Sequence, residues 1–365
     1  MTETKTIVVK VGTSSITHHD SPALDEQAIA KLCVDIAAVR ALGHQVVLVS
    51  SAAIAAGMAK LGMAERPRDF ETLQALSAVG QIELMRSYDE QCRAVGFDCG
   101  QVLLAPPDFF DRARYLRARS CIERQFALGV LPIVNENDAV ADDAIRFGDN
   151  DRIAALVAHL VKADLLVLLT DTPGLLTADP RVDEQASLIE EIQKVDRELE
   201  ALAGNSRSSM SQGGMVSKLS AAKIASWSGV ATIIAAAHRP HVLVDAVTDV
   251  TGVGTLVHAR TERLSARKLW IAFAVASRGT LVVDKGARQA VLAGGGSLLA
   301  VGLTSVAGEF VAGDAVGVAG PDGVVFAKGL VNLGAAELAL QIGAHAVEAI
   351  HRDDFVVLPD ALPSP

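Results

Sequence analysis

The chain has 365 residues, half of them hydrophobic but only 4% aromatic, with 33 Lys and Arg against 43 Asp and Glu for a formal net charge of −10. At about 100–200 residues per domain this length predicts two or three domains. The aliphatic content excludes a disordered chain, and 30 glycines and 4 cysteines exclude a collagen or a disulfide scaffold. The acidic balance argues against broad binding to nucleic acid or an anionic membrane, while leaving room for an anion in a locally basic pocket.

Short apolar runs rich in β-branched residues occur at 7–11, 45–49, 101–104, 130–134, 165–169 and 231–235. They do not alternate, as expected of strands buried on both faces. Between them lie helical patterns at 25–42, 70–95 and 108–128, the last with Asp108 as its expected N-cap. Strand–helix alternation over roughly the first 250 residues predicts an α/β fold, a mainly parallel sheet sandwiched by helices. Ligands of such sheets sit at the carboxyl ends of the strands, so chemistry is sought just after each apolar run.

The first run ends VVKVGTSS, with Lys10 inside an otherwise apolar segment and Gly12 allowing close approach of a ligand. A buried ammonium needs an anionic partner, although a snorkelling edge-strand Lys also fits. The second ends VLVSSAAIAAG, where Ser50 and Ser51 suit an anion site at a helix start or a plain N-cap. The fourth opens into NENDAVADDAIRFGDND, dense in Asn and Asp directly after a buried strand. That stretch does not match the calcium-loop spacing and reads best as a polar substrate loop, with Asp149, Asn150 and Asp151 opening the next helix. The fifth ends LLTDTPGLLTADPR, with Thr170 and Asp171 at the strand end, suited to a nucleotide or to turn chemistry. In SMSQGGMVSKLSAAKIA, a glycine turn feeds a helix carrying Lys218, the pattern of a phosphate cradle, though not the P-loop spacing.

Beyond about residue 255, short apolar pieces separated by Gly predict a small, mostly-β domain. The uncharged stretch 289–308 is long enough to span a bilayer, but its five glycines favour turns and short strands, so no membrane span is expected. The four cysteines show no C-x-x-C spacing and read as small buried apolar residues in a reducing compartment.

The pieces VVKVGTS, SSAAIAAG, PIVNENDAV, FGDNDRIAALVA, LLTDTPGLLTADPR and GGMVSK resemble, in order, the glutamate 5-kinases of the amino acid kinase family. The tail resembles the PUA domain that many bacterial members carry. The resemblance implies a kinase domain at 1–258, a linker at 259–276, a PUA-like domain at 277–356 and a tail at 357–365. It implies transfer of a phosphoryl group from ATP, with Mg²⁺, to the side-chain carboxylate of L-glutamate, the first step of proline biosynthesis. It also implies a cytoplasmic homo-oligomer, feedback inhibition by proline, and hand-over of product to glutamyl phosphate reductase.

By residue, the resemblance makes Lys10 and Lys218 the phosphate-binding lysines, with Asp151 orienting them as the third catalytic residue. It assigns ATP to Lys10, Gly12, Thr170, Asp171, Gln212, Gly213, Gly214, Met215, Val216, Ser217 and Lys218, and glutamate to Ser51, Asp138 and Asn150. It names no metal ligands. Residues 276–355 carry five basic and eight acidic side chains, a net charge of −3, which argues against RNA binding by the PUA-like domain. Rival acceptors on the same fold are acetylglutamate, aspartate, carbamate and a nucleoside monophosphate. The chain departs from the family where Ser51 is followed by Ala52 instead of Gly. A methyl there is strained if φ is positive and is expected to crowd the acceptor.

Overall fold

A computed structural model of the chain describes residues 3–109, 111–140, 150–178, 185–204, 214–273, 275–294 and 296–358. It divides into two compact units, Met1–Arg263 and Leu264–Pro365.

The first unit runs β1 (Thr6–Val11), α1 (Glu26–Ala41), β2 (Gln45–Val49), α2 (Ala53–Lys60), α3 (Phe70–Ala94), β3 (Cys99–Leu104), α4 (Arg112–Ala127), β4 (Leu131–Glu136), α5 (Asn150–Leu160) and β5 (Leu165–Thr170). It continues with β6 (Glu191–Ile192), α6 (Arg197–Gly204), α7 (Met215–Trp227), β7 (Ala231–Ala236), α8 (Val242–Val247) and β8 (Gly254–Val257). The eight strands form one sheet in the order β3-β4-β2-β1-β5-β7-β8-β6. All neighbours are parallel except β7 with β8. The expected α/β architecture is therefore present, and the six apolar runs are strands with ends moved by one or two residues.

Strand β1 is central. The chain lays β2, β4 and β3 on one side of it and β5 and β7 on the other. The order reverses at β1, and a crevice opens outside the carboxyl ends of the strands flanking such a reversal. Lys10 lies at the end of β1, Ser50 and Ser51 follow β2, Glu136 ends β4 and Thr170 ends β5, so parallel pairing brings all four segments to one edge.

Local chemistry sets the helix positions. The Asp25 carboxylate accepts from the N–H groups of Gln27 and Ala28, both at 3.0 Å, and starts α1. Asp69 accepts from the Thr72 N–H at 2.9 Å and starts α3. Helices α2 and α3 meet backbone to backbone: a Cβ on Gly80 would stand 1.8 Å from the Ala53 carbonyl oxygen, and one on Gly57 would stand 2.0 Å from that of Leu76. Only glycine permits this approach, which carries the α3 side chains Ser77 and Gln81 to the strand ends.

Several expectations are corrected. Helix α4 begins at Arg112, capped by Asp111, whose carboxylate accepts from the Arg114 N–H. Asp108 instead closes the preceding 3-10 turn by accepting from the Ala105 N–H at 2.8 Å. The stretch expected to be a linker contains α9 (Ala266–Phe273), and residues 289–293 close a helix, α10 (Lys285–Ala293), rather than forming turns and strands. Cys33 and Cys92 are buried free thiols as expected, but Cys121 is exposed.

The second unit is the mostly-β domain. Besides α9 and α10 it contains β9 (Gly279–Val283), β10 (Leu298–Leu299), β11 (Leu303–Gly308), β12 (Ala315–Ala319), β13 (Val325–Val331), α11 (Ala335–Leu340) and β14 (Glu348–Val357). Its six strands run β10-β14-β13-β12-β9-β11 around a core that includes Leu281, Phe310, Val316, Phe326 and Ile350.

Ala52 precedes α2 with φ 79° and ψ 5°, in the left-handed region. Its methyl is buried in the apolar cluster of the first unit, so the departure from Gly is expressed as backbone strain. Left-handed backbone costs a non-glycine residue about 1–2 kcal/mol, partly offset here by burial of one methyl. Ala52→Gly is therefore expected to raise stability by about 0.5–1 kcal/mol, read from the urea midpoint at unchanged m-value. A lower midpoint would show that the methyl's packing outweighs the strain.

Candidate active site

Lys10 comes from β1, Asp151 from the first turn of α5 and Lys218 from the second turn of α7. All three are nearly inaccessible, at 4%, 1% and 5% relative exposure. Lys10 Nζ lies 2.7 Å from Asp151 Oδ1, and Lys218 Nζ donates to Asp151 Oδ2 at 3.3 Å. One carboxylate thus bridges two ammoniums that are 208 positions apart by residue number. Burial alone pushes the Asp151 carboxyl upward, yet the two ammoniums outweigh it and hold it below the usual carboxylate range. Burial pulls Lys218 down, and Lys10 adds to that, while Asp151 and then Asp171 oppose it. The triad carries one net positive charge at low dielectric, a site complementary to an anion.

The glycines fit a polyanion. Gly12 has φ −81°, so no backbone conformation demands it; a Cβ there would stand 3.6 Å from Lys10 Nζ, on an approach to the ammonium. Gly214 starts the 13-residue helix α7 with no side-chain cap, and its carbonyl accepts from the Ser217 N–H at 3.1 Å, so the helix N-terminus with Met215 and Val216 is the part suited to an anion. Met215, Val216 and Ser217 form that first turn, as expected; Gln212 and Gly213 lie outside the described residues. Thr170 is buried at the end of β5, with Oγ1 donating to the exposed Asp171 at 3.1 Å.

The second half of the site lies beside the triad because Asn150 directly precedes Asp151. Asn150 Nδ2 donates to Ser51 Oγ and to Asn135 Oδ1, both at 3.1 Å. Neither serine after β2 caps a helix: Ser51 meets Asn150, and Ser50 shares a 2.8 Å hydrogen bond with the fully buried Tyr88 hydroxyl. Asp138 is buried and receives the Ser77 hydroxyl at 3.1 Å on Oδ2. Burial pushes its carboxyl up to about 6, against the hydrogen bond from Ser77 and the charge of Arg66. Among the described residues, Asp138 Oδ1 and Asn150 Oδ1 are buried acceptors without a hydrogen-bond partner.

The expected residues Lys10, Asp151 and Lys218 are thus joined by direct contacts, Ser51 meets Asn150, the residue before Asp151, and Asp138 follows β4 in contact with Ser77. Asn135, Ser77 and Gln81 are polar partners that the residue pattern alone does not single out. Asn135 lies in the NENDAV stretch expected to be functional, whereas Ser77 and Gln81 belong to a helix whose approach depends on Gly80 and Gly57. The rest of the Asn/Asp-rich loop, 141–149, lies outside the described residues. Among the described residues no group of three His, Cys, Asp or Glu is arranged to hold a metal ion, and no helix is long and apolar enough to cross a membrane.

A buried lysine pair bridged by one aspartate thus stands at the switch point of a mainly parallel sheet, next to the buried Asn150, an arrangement complementary to an anion. The amino acid kinase family pattern matches residues 5–236 and that of the PUA domain residues 279–352. The chain belongs to the amino acid kinase family. Within it, the chain is 45% identical over 368 aligned positions to a glutamate 5-kinase from Burkholderia multivorans, covering 98% of both chains. It is 46% identical to one from Polaromonas naphthalenivorans, covering 92% of this chain and 88% of that one. A solved carbamate kinase from Giardia lamblia shares the fold, with a TM-score of 0.52 and 18% identity over 71% of this chain and all of that one.

Asp138 yields a stability prediction. Its folded pKa of about 6 lies above the ordinary 3.8, so between those values the native state holds a proton that the unfolded chain has lost. Its contribution is therefore lost as pH rises through the window, and above about pH 6 the ionised buried group is a full penalty. Asp138→Asn is expected to be more stable than wild type by on the order of 2–3 kcal/mol at pH 7.5 and equal to it near pH 4. Denaturation midpoints at both pH values measure this; equal stabilities at pH 7.5 would contradict it.

Proposed function

We propose that this chain catalyses ATP + L-glutamate → ADP + L-glutamyl 5-phosphate, the first step of proline biosynthesis. The observation that carries the reading is the junction at Asn150–Asp151. One residue holds the two phosphate-directed lysines, and the next faces the acceptor pocket, so donor and acceptor meet at the start of α5. The name and near full-length coverage of the relatives support glutamate over the rival acceptors.

A glutamate side chain in water titrates near pH 4.3, about three units below neutrality, and is already ionised at neutral pH. No general base is needed. The barrier is repulsion between two anions and the charge on the transferring group, so catalysis is positioning plus electrostatic stabilisation. Lys10 and Lys218 lie where they neutralise the phosphoryl oxygens, the N–H groups at Gly12 and the start of α7 orient the phosphates, and Thr170 and Asp171 line the nucleotide side. Asp151 holds both ammoniums at fixed separation and opposes the burial that pulls Lys218 down. Asp138 Oδ1 and Asn150 Oδ1 accept from the substrate ammonium, and the Ser51 hydroxyl, whose oxygen accepts from Asn150, donates to its carboxylate side. Mg²⁺, when bound with the nucleotide, would supply screening of the phosphate charge, and this ion commonly needs few protein ligands at such sites.

The same reading takes proline as feedback inhibitor, a homo-oligomer as the working form, glutamyl phosphate reductase as the consumer of the hydrolysis-prone product, and the cytoplasm as the compartment. Its support is the class of relatives and the chemistry of an acyl phosphate.

Lys10→Ala and Lys218→Ala are each expected to lower kcat by about 10²–10³ while retaining a cooperative unfolding transition. Hydroxylamine trapping of the acyl phosphate, with ATP and Mg²⁺ and with or without proline, measures turnover. Wild-type rates in either variant would remove the lysines from the mechanism. Hydroxamate formed only from acetylglutamate or aspartate would remove glutamate as substrate.

A further inference from the structure

Four carboxamides behind the acceptor pocket form one directional chain. It is anchored by the Glu136 backbone N–H, which can only donate and does so to Asn135 Oδ1 at 2.9 Å. The Asn135 oxygen is thereby turned toward Glu136 and Asn150. Its nitrogen faces the other way and donates to Gln81 Oε1 at 2.9 Å, and Gln81 Nε2 in turn donates to Gln101 Oε1 at 3.0 Å. At the other end, both donor contacts of Asn150 go to Asn135 and Ser51, so what Asn150 offers the pocket is its oxygen. Asp138 Oδ1, following β4, is likewise a buried acceptor without a hydrogen-bond partner among the described residues. The pocket therefore presents two acceptors from these side chains, the complement of a group that only donates.

We propose that Gln81 is a positioning residue: by accepting from Asn135 it locks the polarity of the Asn135–Asn150 pair and so makes the site selective for an acceptor that bears an ammonium group. This rests on the glutamate kinase reading and deepens it. Gln81 lies on α3, held at the strand ends by the Gly80–Ala53 approach, and it reaches the site through Asn135. A donor-only side chain at 81 opposes the Asn135 nitrogen. If Asn135 turns over, its nitrogen meets the Glu136 N–H instead. That turn removes the bond from Asn150 and frees its carboxamide to present a donor to the pocket. A carboxylate at 81 preserves the pattern, because one oxygen still accepts from Asn135 and the exposed Gln101 amide turns to donate to the other.

The test uses the full chain with Gln81→Lys, Gln81→Met and Gln81→Glu. The readouts are KM for L-glutamate and for ATP, kcat, and the inhibition constant of glutarate, which has both carboxylates and no ammonium. Gln81→Lys is expected to raise the glutamate KM about 10-fold, the size of one unmade buried hydrogen bond, with kcat, ATP KM and glutarate inhibition within about threefold of wild type. Gln81→Met, which neither donates nor accepts strongly, is expected to move the glutamate KM in the same direction by less, and it carries the test if the lysine variant does not fold. Gln81→Glu is expected to keep the wild-type glutamate KM. Glutamate and glutarate weakened equally in the Lys and Met variants, or Gln81→Glu as damaging as Gln81→Met, would overturn the polarity lock. A wild-type chain inactive on glutamate would instead overturn the functional reading itself.

Discussion

One buried carboxylate holding two ammoniums is the constraint on which the site depends. Asp151 is 1% exposed, and its oxygens lie 2.7 and 3.3 Å from Lys10 and Lys218. Breaking such a buried pair costs about 3–5 kcal/mol, because the remaining charge loses its compensation. Stability alone does not explain the arrangement, since an apolar replacement of the triad would fold as well or better. A triad with one surplus positive charge is explained by an anion that completes it. The same carboxylate fixes β1, α5 and α7 relative to one another, so phosphate geometry and packing of the first unit are one problem.

The acceptor pocket follows a different logic. Its side chains are mostly neutral amides and hydroxyls, and what they determine is direction: which atoms accept and which donate. A single backbone N–H, that of Glu136, starts the pattern, and Asn135 transmits it to Asn150 and Gln81. Asp138 adds a charge held at a cost, visible in a carboxyl pushed up to about 6 by burial. Ala52 adds a second cost nearby, in a backbone conformation that suits glycine. Strain and buried charge at the edge of a sheet whose interior is mostly apolar mark where packing has been subordinated to recognition.

Elements with strong local signals were legible in the chain itself. The apolar runs became strands because their β-branched residues leave no polar face, and the helical patterns at 25–42 and 70–95 correspond to α1 and α3. Lys10 is conspicuous because an ammonium inside an apolar run demands a partner, whereas Asp151 reads locally only as part of a helix opening and its link to the lysines comes from the resemblance. The start of α4 was misread because Asp108 and Asp111 carry the same capping chemistry, and only the 3-10 turn at Pro106–Phe109 decides between them. The helix in 266–273 was missed because its charges resemble those of a solvated connector.

The sequence by itself determined the mainly parallel α/β class and the smaller, mostly-β second unit, and it marked Lys10 as an ammonium in need of a partner, because periodicity and a costly buried lysine are encoded within a few neighbouring residues. Tertiary structure alone decided that Lys10 and Lys218 share the two oxygens of Asp151, that Ala52 is left-handed, and that Ser77, Gln81 and Asn135 back the acceptor pocket. Those facts depend on strand order and on the closeness of α2 to α3, which is set where Gly80 meets the Ala53 carbonyl. Contacts between residues tens to hundreds of positions apart have no local signature, since they arise only when the whole sheet has closed around β1.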